Sequence, residues 1–402
     1  MSTKWQILLW TIATIAACTL LLFVLDREQE HRVGRWSTYL VGNPRDGQGL
    51  FTSKGCARCH GINGAGEASA VNLGSVASGG SGPQRLATAM WNHGPEMWKR
   101  MSEEKLEYPS IDRQEMSHLF AYLFTAQFAA EPGNAARGDE LLRSRGCQQC
   151  HSTGDGSARP LGGAGASYTP VTWTQAMWNH STVSDPGMNR ARWSGGDMAD
   201  ILARVQGSAG GAVEDDALLR ASPDRGWKLF QEKKCESCHA LTGDEAAAGA
   251  PPLVRDDHLP ATILDLAGSL WMHGPQMPGA ESPAGISWTR LGAQETADLI
   301  AFLYSARYTE PGGSARVGEV IFDGKGCTRC HGPRAEGGGN GPALRGRGVT
   351  YSSIALAAAL WNHGPNMYAR AVASHEPWPV FSEDEVGHLL TFLNTSAEMS
   401  SH

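Results

Sequence analysis

The feature that most limits what this chain can fold into is a five-residue run, Cys-x-x-Cys-His, that occurs four times. The copies are Cys56/Cys59/His60, Cys147/Cys150/His151, Cys235/Cys238/His239 and Cys327/Cys330/His331, with first cysteines 91, 88 and 92 residues apart. A fixed period of that size is one small domain, so 402 residues read as four tandem units. Eight of nine cysteines are consumed by the runs, which leaves only Cys18 and no disulfide framework. The period reaches beyond the cysteines. Nine residues before each first cysteine stands Gly47, Gly138, Gly226 or Gly318, and five before it Phe51, Leu142, Phe230 or Phe322. That offset puts both on one helix face, so a helix leading into each motif can bring its backbone against another helix. Each unit closes on an amphipathic run such as Leu299–Leu303 or Leu389–Leu393, and loops rich in Gly and Pro lie between. The expected fold is mainly α.

Two thiols one turn apart with an adjacent imidazole form a haem c attachment signature: the sulfurs bond the porphyrin vinyl groups and the histidine reaches the iron. Zinc ribbons would pair their cysteine runs about 15–20 residues apart, not ninety. Four covalent haem c groups are therefore expected, each anchored by both cysteines of its run, with His60, His151, His239 and His331 as proximal ligands. The sixth ligand has two candidates. Each unit carries Trp91-Asn92-His93, Trp178-Asn179-His180, Trp271-Met272-His273 or Trp361-Asn362-His363, followed by Met97, Met188, Met277 or Met367. Proximal histidine to methionine spans 37, 37, 38 and 36 residues, against 33, 29, 34 and 32 to the second histidine. The steadier spacing favours methionine, with bis-imidazole ligation as the alternative. A thioether raises the potential, and a filled coordination sphere argues for electron transfer rather than catalysis.

Residues Ile7–Leu25 are free of charge and long enough to cross a bilayer, with Trp5 and Trp10 at one end. An uncleaved single-pass anchor is expected, placing the chain at a bacterial inner membrane with its haem domains on the periplasmic side, where haem is attached. The resulting boundaries are an anchor at 1–25, a juxtamembrane linker at 26–43, and domains at 44–131, 132–222, 223–309 and 310–402. Short junctions at Glu131-Pro132-Gly133 and Glu310-Pro311-Gly312, against the longer stretch 207–223, predict two di-haem halves, units 1 with 2 and 3 with 4. A net charge of −7 gives no basic field for nucleic acid and suits a basic patch on a partner.

Together these residues resemble the class I cytochrome c family, four times over between about residue 44 and 396. The resemblance implies that opening and closing helices cross at Gly47/Phe51, Gly226/Phe230 and Gly318/Phe322, facing Tyr122, Phe302 and Phe392. It also implies that a backbone carbonyl near Gly341-Pro342-Ala343-Leu344 and Pro251-Pro252-Leu253 orients the proximal imidazole, a role left to Val71-Asn72-Leu73 in unit 1. Unit 2 departs most, with Leu142, Arg204 and His180-Ser181. The implied function is an electron relay between protein partners, from a quinol-oxidising complex or soluble donor to an oxidase or photosynthetic reaction centre, without a small-molecule substrate. A multihaem oxidoreductase with one catalytic haem in unit 2, or an extracellular electron conduit, is the alternative.

Overall fold

The computed structural model describes residues 42–62, 69–76, 83–126, 133–151, 160–161, 168–180, 193, 195–206, 216–241, 250, 252–253, 259–260, 262–273, 289–306, 313–338, 341–346, 350–382 and 384–395. Helices dominate and no β-strand occurs among these residues. Each repeat has an opening, a middle and a closing helix. The opening helices are Pro44–Ser53, Ala135–Ser144, Pro223–Glu232 and Ala315–Gly324. Asn43, Asn134, Ser222 and Ser314 cap them, each side-chain oxygen accepting from first-turn backbone N–H groups that have no partner in the helix.

Closing helices run Arg113–Ala126, Gly195–Gln206, Ala293–Ala306 and Glu385–Asn394. Each packs on the opening helix of its own repeat. A Cβ at Gly47, Gly138, Gly226 or Gly318 would run into the carbonyl of His118, Asp200, Asp298 or His388 respectively. The glycines are therefore where two backbones touch. One turn on, Phe51–Tyr122, Phe230–Phe302 and Phe322–Phe392 meet at 5.7, 5.5 and 5.4 Å, the pairs that the family resemblance implies. Repeat 2 replaces the aromatic contact with an ion pair, Arg204 Nε to Asp139 at 3.0 Å.

The middle helices decide how repeats associate. Those of repeats 1 and 4, Pro83–Glu103 and Ser353–Ala373, pack on each other; so do those of repeats 2 and 3, Pro170–His180 and Ile263–His273. The repeats thus pair 1 with 4 and 2 with 3, not 1 with 2 and 3 with 4. The cores follow suit: Ile354, Ala357 and Ala358 join the repeat 1 cluster, and Leu264, Ala267 and Trp271 join that of repeat 2. A third cluster ties Ala121 and Phe124 of repeat 1 to Val171 and Ile300. Residues 39–402 accordingly form one compact unit. The connecting segment includes a short helix, Asp216–Leu219, that docks on repeats 1 and 3, with Asp216 paired to Arg45.

Among the described residues no helix is long and apolar enough to cross a membrane. The two longest carry Glu96, Lys99, Arg100 and Glu103, or His363 and Arg370, and each has an internal proline. The expected single-pass N-terminal anchor, and the inner-membrane and periplasmic localisation drawn from it, is corrected on this finding. Residues 7–25, on which it rested, lie outside the described residues.

Candidate functional site

In every repeat the opening helix ends just before the first cysteine and the chain reverses through a left-handed residue. Gly55, Gly146 and Gly326 take φ of 87°, 80° and 77° there, and Lys234 takes 58° in repeat 3. The motif then forms one tight turn. The histidine N–H donates to the first cysteine's carbonyl at 3.0, 3.0, 3.0 and 2.9 Å in repeats 1 to 4.

All eight motif cysteines are half-buried thiols, and none is in a disulfide. The first members Cys56, Cys147 and Cys327 pack against the hydrophobic clusters of repeats 1, 2 and 4. The second members, Cys59, Cys150, Cys238 and Cys330, are not part of those clusters. Each sits three residues on, its backbone N–H donating to the first cysteine's carbonyl at 3.2, 3.4, 3.2 and 3.2 Å respectively. Burial pushes the first thiol up, to about 11 for Cys56, Cys235 and Cys327, and upward also for Cys147. Among the described residues no cluster of three His, Cys, Asp or Glu is placed to hold a bare metal ion.

The proximal imidazoles are oriented from behind. His60 Nδ1 lies 3.0 Å from the Val71 carbonyl and His331 Nδ1 lies 2.9 Å from that of Pro342. A carbonyl can only accept, so Nδ1 carries the proton and Nε2 is left as a ligand. The loop without proline in repeat 1 serves as well as the one with it.

A clasp outside the motif holds the loop to the closing helix. Two residues before the first cysteine, Lys54, Lys233 and Lys325 pair with Glu115, Glu295 and Glu385 at 2.7, 3.0 and 3.0 Å. Arg145 and Asp197 stand in for them in repeat 2 at 3.6 Å, and Arg145 also covers the Trp193 ring. The Glu295 carboxyl is held below the usual range by the Gly292 N–H and by Lys233; that of Glu385 is lowered against burial by the Ser382 N–H and Lys325. This pairing escaped the reading of the sequence. Its signal is a basic residue at one offset in all four repeats, seven residues after the crossing glycine.

The Trp-Asn pairs reach into the partner repeat. Asn92 Nδ2 donates to the Phe381 carbonyl at 2.8 Å and its Oδ1 accepts from Phe381 N at 2.9 Å; Trp91 Nε1 donates to Pro379 at 2.6 Å. Reciprocally, Asn362 exchanges the same two bonds with Ile111, and Trp361 donates to Pro109 at 2.8 Å. Asn179 binds Leu291 in both directions and Trp178 donates to Thr289. Repeat 3 has Met272 at this place. Pro95 removes the helical N–H that would serve the Trp91 carbonyl, and Trp378 Nε1 of repeat 4 donates to it at 3.2 Å instead. Trp378 also stacks on Trp91 at 4.4 Å.

On the side facing the proximal imidazoles, the structure brings in the second histidine. His60 and His93 have ring centres 6.2 Å apart, His151 and His180 5.7 Å, His239 and His273 5.7 Å. Met97 lies one turn beyond His93 on the same continuous helix. Met367 is half-buried against the cluster that holds Cys327. Met188 and Met277 lie outside the described residues. Within repeat 1 the Tyr108 hydroxyl donates to the Trp98 carbonyl.

A family model described as Cytochrome c matches residues 44–127, 223–307 and 315–397. Comparison with curated proteins and with solved structures gives no match.

Proposed function

The chain belongs to the cytochrome c family, and from that premise we propose that it is a four-haem electron relay whose haems work as two pairs, 1 with 4 and 2 with 3. Cytochrome c domains carry covalent haem c and make this a multihaem electron-transfer protein. The observation that supports four haems rather than three is the common geometry of the Cys-x-x-Cys-His turn. Repeat 2 lies outside the family match, yet its turn, its glycine crossing and its half-buried thiols are those of the other three. Cys56 with Cys59, Cys147 with Cys150, Cys235 with Cys238 and Cys327 with Cys330 would hold the porphyrins, and His60, His151, His239 and His331 the irons. When bound, haem supplies one-electron redox chemistry; the chain fixes its orientation and excludes water from one face.

Pairing matters because electron tunnelling falls steeply with distance. The middle helices that cross between partner repeats are the ones that bear the second histidines, so the residues that would hold the haem of one repeat are carried on a helix that packs against its partner repeat. Donor and acceptor are protein partners, docked by an acidic surface that haem propionates make more acidic. Four variants test this, each with both cysteines of one motif changed to serine. Every variant should lose the mass of one porphyrin from a parent that carries four. Losing the repeat 4 haem should shift the reduction potential of the repeat 1 haem more than that of repeat 3. A parent mass with three porphyrins, or a larger shift in repeat 3, would overturn the reading.

A further inference from the structure

We infer that in repeats 1, 2 and 3 the iron's sixth ligand is an imidazole, from His93, His180 and His273, so that these three haems are bis-histidine centres. The inference rests on the four-haem reading and deepens it. A metal–nitrogen bond of ~2 Å and about 1 Å from nitrogen to ring centre place two imidazoles on either side of one metal with centres about 6 Å apart. The three observed separations are 6.2, 5.7 and 5.7 Å. Unrelated histidines have no reason to approach each other three times at one repeat position. For His60 the nitrogen is settled too, because Nδ1 is engaged by Val71 and Nε2 remains.

The middle helix makes imidazole and thioether alternatives rather than partners. In repeat 1 it runs unbroken through His93 to Glu103, so Met97 sits about 6 Å further along the axis. Two groups so far apart on one rod cannot both lie on the same iron axis, and His93 is the one that faces His60. The distal rings are also held from the partner repeat. His180 stacks on Trp271 of repeat 3 at 6.1 Å and 20°. His93 follows the Trp91-Asn92 pair that repeat 4 grips through Pro379 and Phe381. Such anchoring makes the ligand set of one haem depend on its neighbour's loop. Repeat 4 stands apart, since there Met367 packs against the cluster around Cys327.

Imidazole in place of thioether stabilises the oxidised iron, so the three centres work at lower potential than His/Met haems. The test uses the full haem-loaded chain and near-infrared magnetic circular dichroism, which separates thioether from bis-imidazole ligation. Met97→Leu should leave the spectrum and the potentials unchanged. His93→Met should convert one bis-imidazole signal into a thioether signal and raise one potential. Loss of a thioether band in Met97→Leu, or a His93→Met protein with the parent spectrum, overturns the assignment. Porphyrin mass is measured on each variant. A count below four in the parent defeats the underlying four-haem reading, whereas a full count with the wrong spectrum defeats only the ligand assignment.

Discussion

Repeats 1 and 4 solve the same packing problem as repeats 2 and 3 with different chemistry, and each pairs with its own kind. In repeats 1 and 4 the backbone N–H of the opening helix's cap residue donates to an imidazole: Asn43 to His118 Nδ1 at 2.7 Å and Ser314 to His388 Nδ1 at 2.8 Å. In repeats 2 and 3 the acceptor is a buried carboxylate, Asp200 at 2.6 Å and Asp298 at 2.8 Å. Each is tied to an arginine of the opening helix, Arg137 or Arg225, and Arg225 is held firmly charged by its hydrogen bonds to Asp298. The middle helices of repeats 1 and 4 run 21 residues through an internal proline; those of repeats 2 and 3 are described over 11 residues, as far as the histidine. One helix crossing at glycine therefore tolerates either a neutral or a charged lock.

The largest expected effect breaks the charged lock. Asp298 accepts from Ser222 N, from Arg225 twice and from Gln294. Asp298→Ala strands that N–H and a guanidinium whose other face is in water, and should cost about 2–3 kcal/mol in denaturant unfolding of the haem-loaded protein. His118→Ala removes one hydrogen bond to a backbone group at the surface and should cost only ~1 kcal/mol. Equal losses would mean that the two locks are energetically one device.

A somewhat smaller effect tests the clasp between partners. Repeats 1 and 4 hold each other with two asparagines, Asn92 and Asn362, whereas repeats 2 and 3 have Asn179 alone because Met272 occupies the other position. Removing one clasp of two leaves the other to keep the pair docked. Asn92→Ala and Asn362→Ala should each cost about 1 kcal/mol. Amide exchange at Phe381 should still be slow in Asn362→Ala. Asn179→Ala should instead speed exchange at Leu291, whose N–H it takes at 2.9 Å, toward the rate of an exposed loop. Protection at Leu291 that survives the change would show that Trp178, Gln175 and the apolar packing of Leu264, Ala267 and Trp271 hold the inner pair without Asn179.

What could be read in advance divides along the same physical line. The crossing glycines and the apolar residues beside them recur at fixed offsets before each cysteine motif, and their partners on the closing helices and the carbonyl behind His60 are those that the family resemblance implies. The pairing of repeats is not legible in this way. Asn92 meets Phe381 across 289 residues, and short junctions point to chain neighbours while the middle-helix surfaces choose distant partners. Trp-Asn-His was legible as a motif but drew attention to its histidine alone. The tryptophan and asparagine turn out to address another repeat, and repeat 3's Met272 was the sequence's own hint that one clasp is missing. The choice between histidine and methionine rests on spacing in the sequence, which says nothing of the continuous helix that carries both His93 and Met97.

Repeat 3 breaks the likeness within the inner pair at one backbone position. Before the first cysteine repeats 1, 2 and 4 place glycine in the left-handed region, and repeat 3 places Lys234 there with φ 58° and ψ 27°. An L-residue in that conformation sets its Cβ against the following carbonyl at a cost of about 1–2 kcal/mol, which glycine avoids. Glycine also gives up more freedom on folding, by roughly 0.5–1 kcal/mol. The Lys234 side chain is exposed, and the backbone bonds at this turn, Lys234 N to Gln231 and Ser237 N to Lys234, survive any change of side chain. The difference leaves a stabilisation of ~0.5–1 kcal/mol for Lys234→Gly, seen as a higher midpoint in thermal unfolding with an unaltered haem count. Gly146→Lys in repeat 2 runs the comparison backwards and should lower the midpoint by a similar amount. A Lys234→Gly protein that melts below the parent would mean that the strained turn in repeat 3 is offset by contacts its lysine makes, and that repeats 2 and 3 differ by more than one residue's conformation.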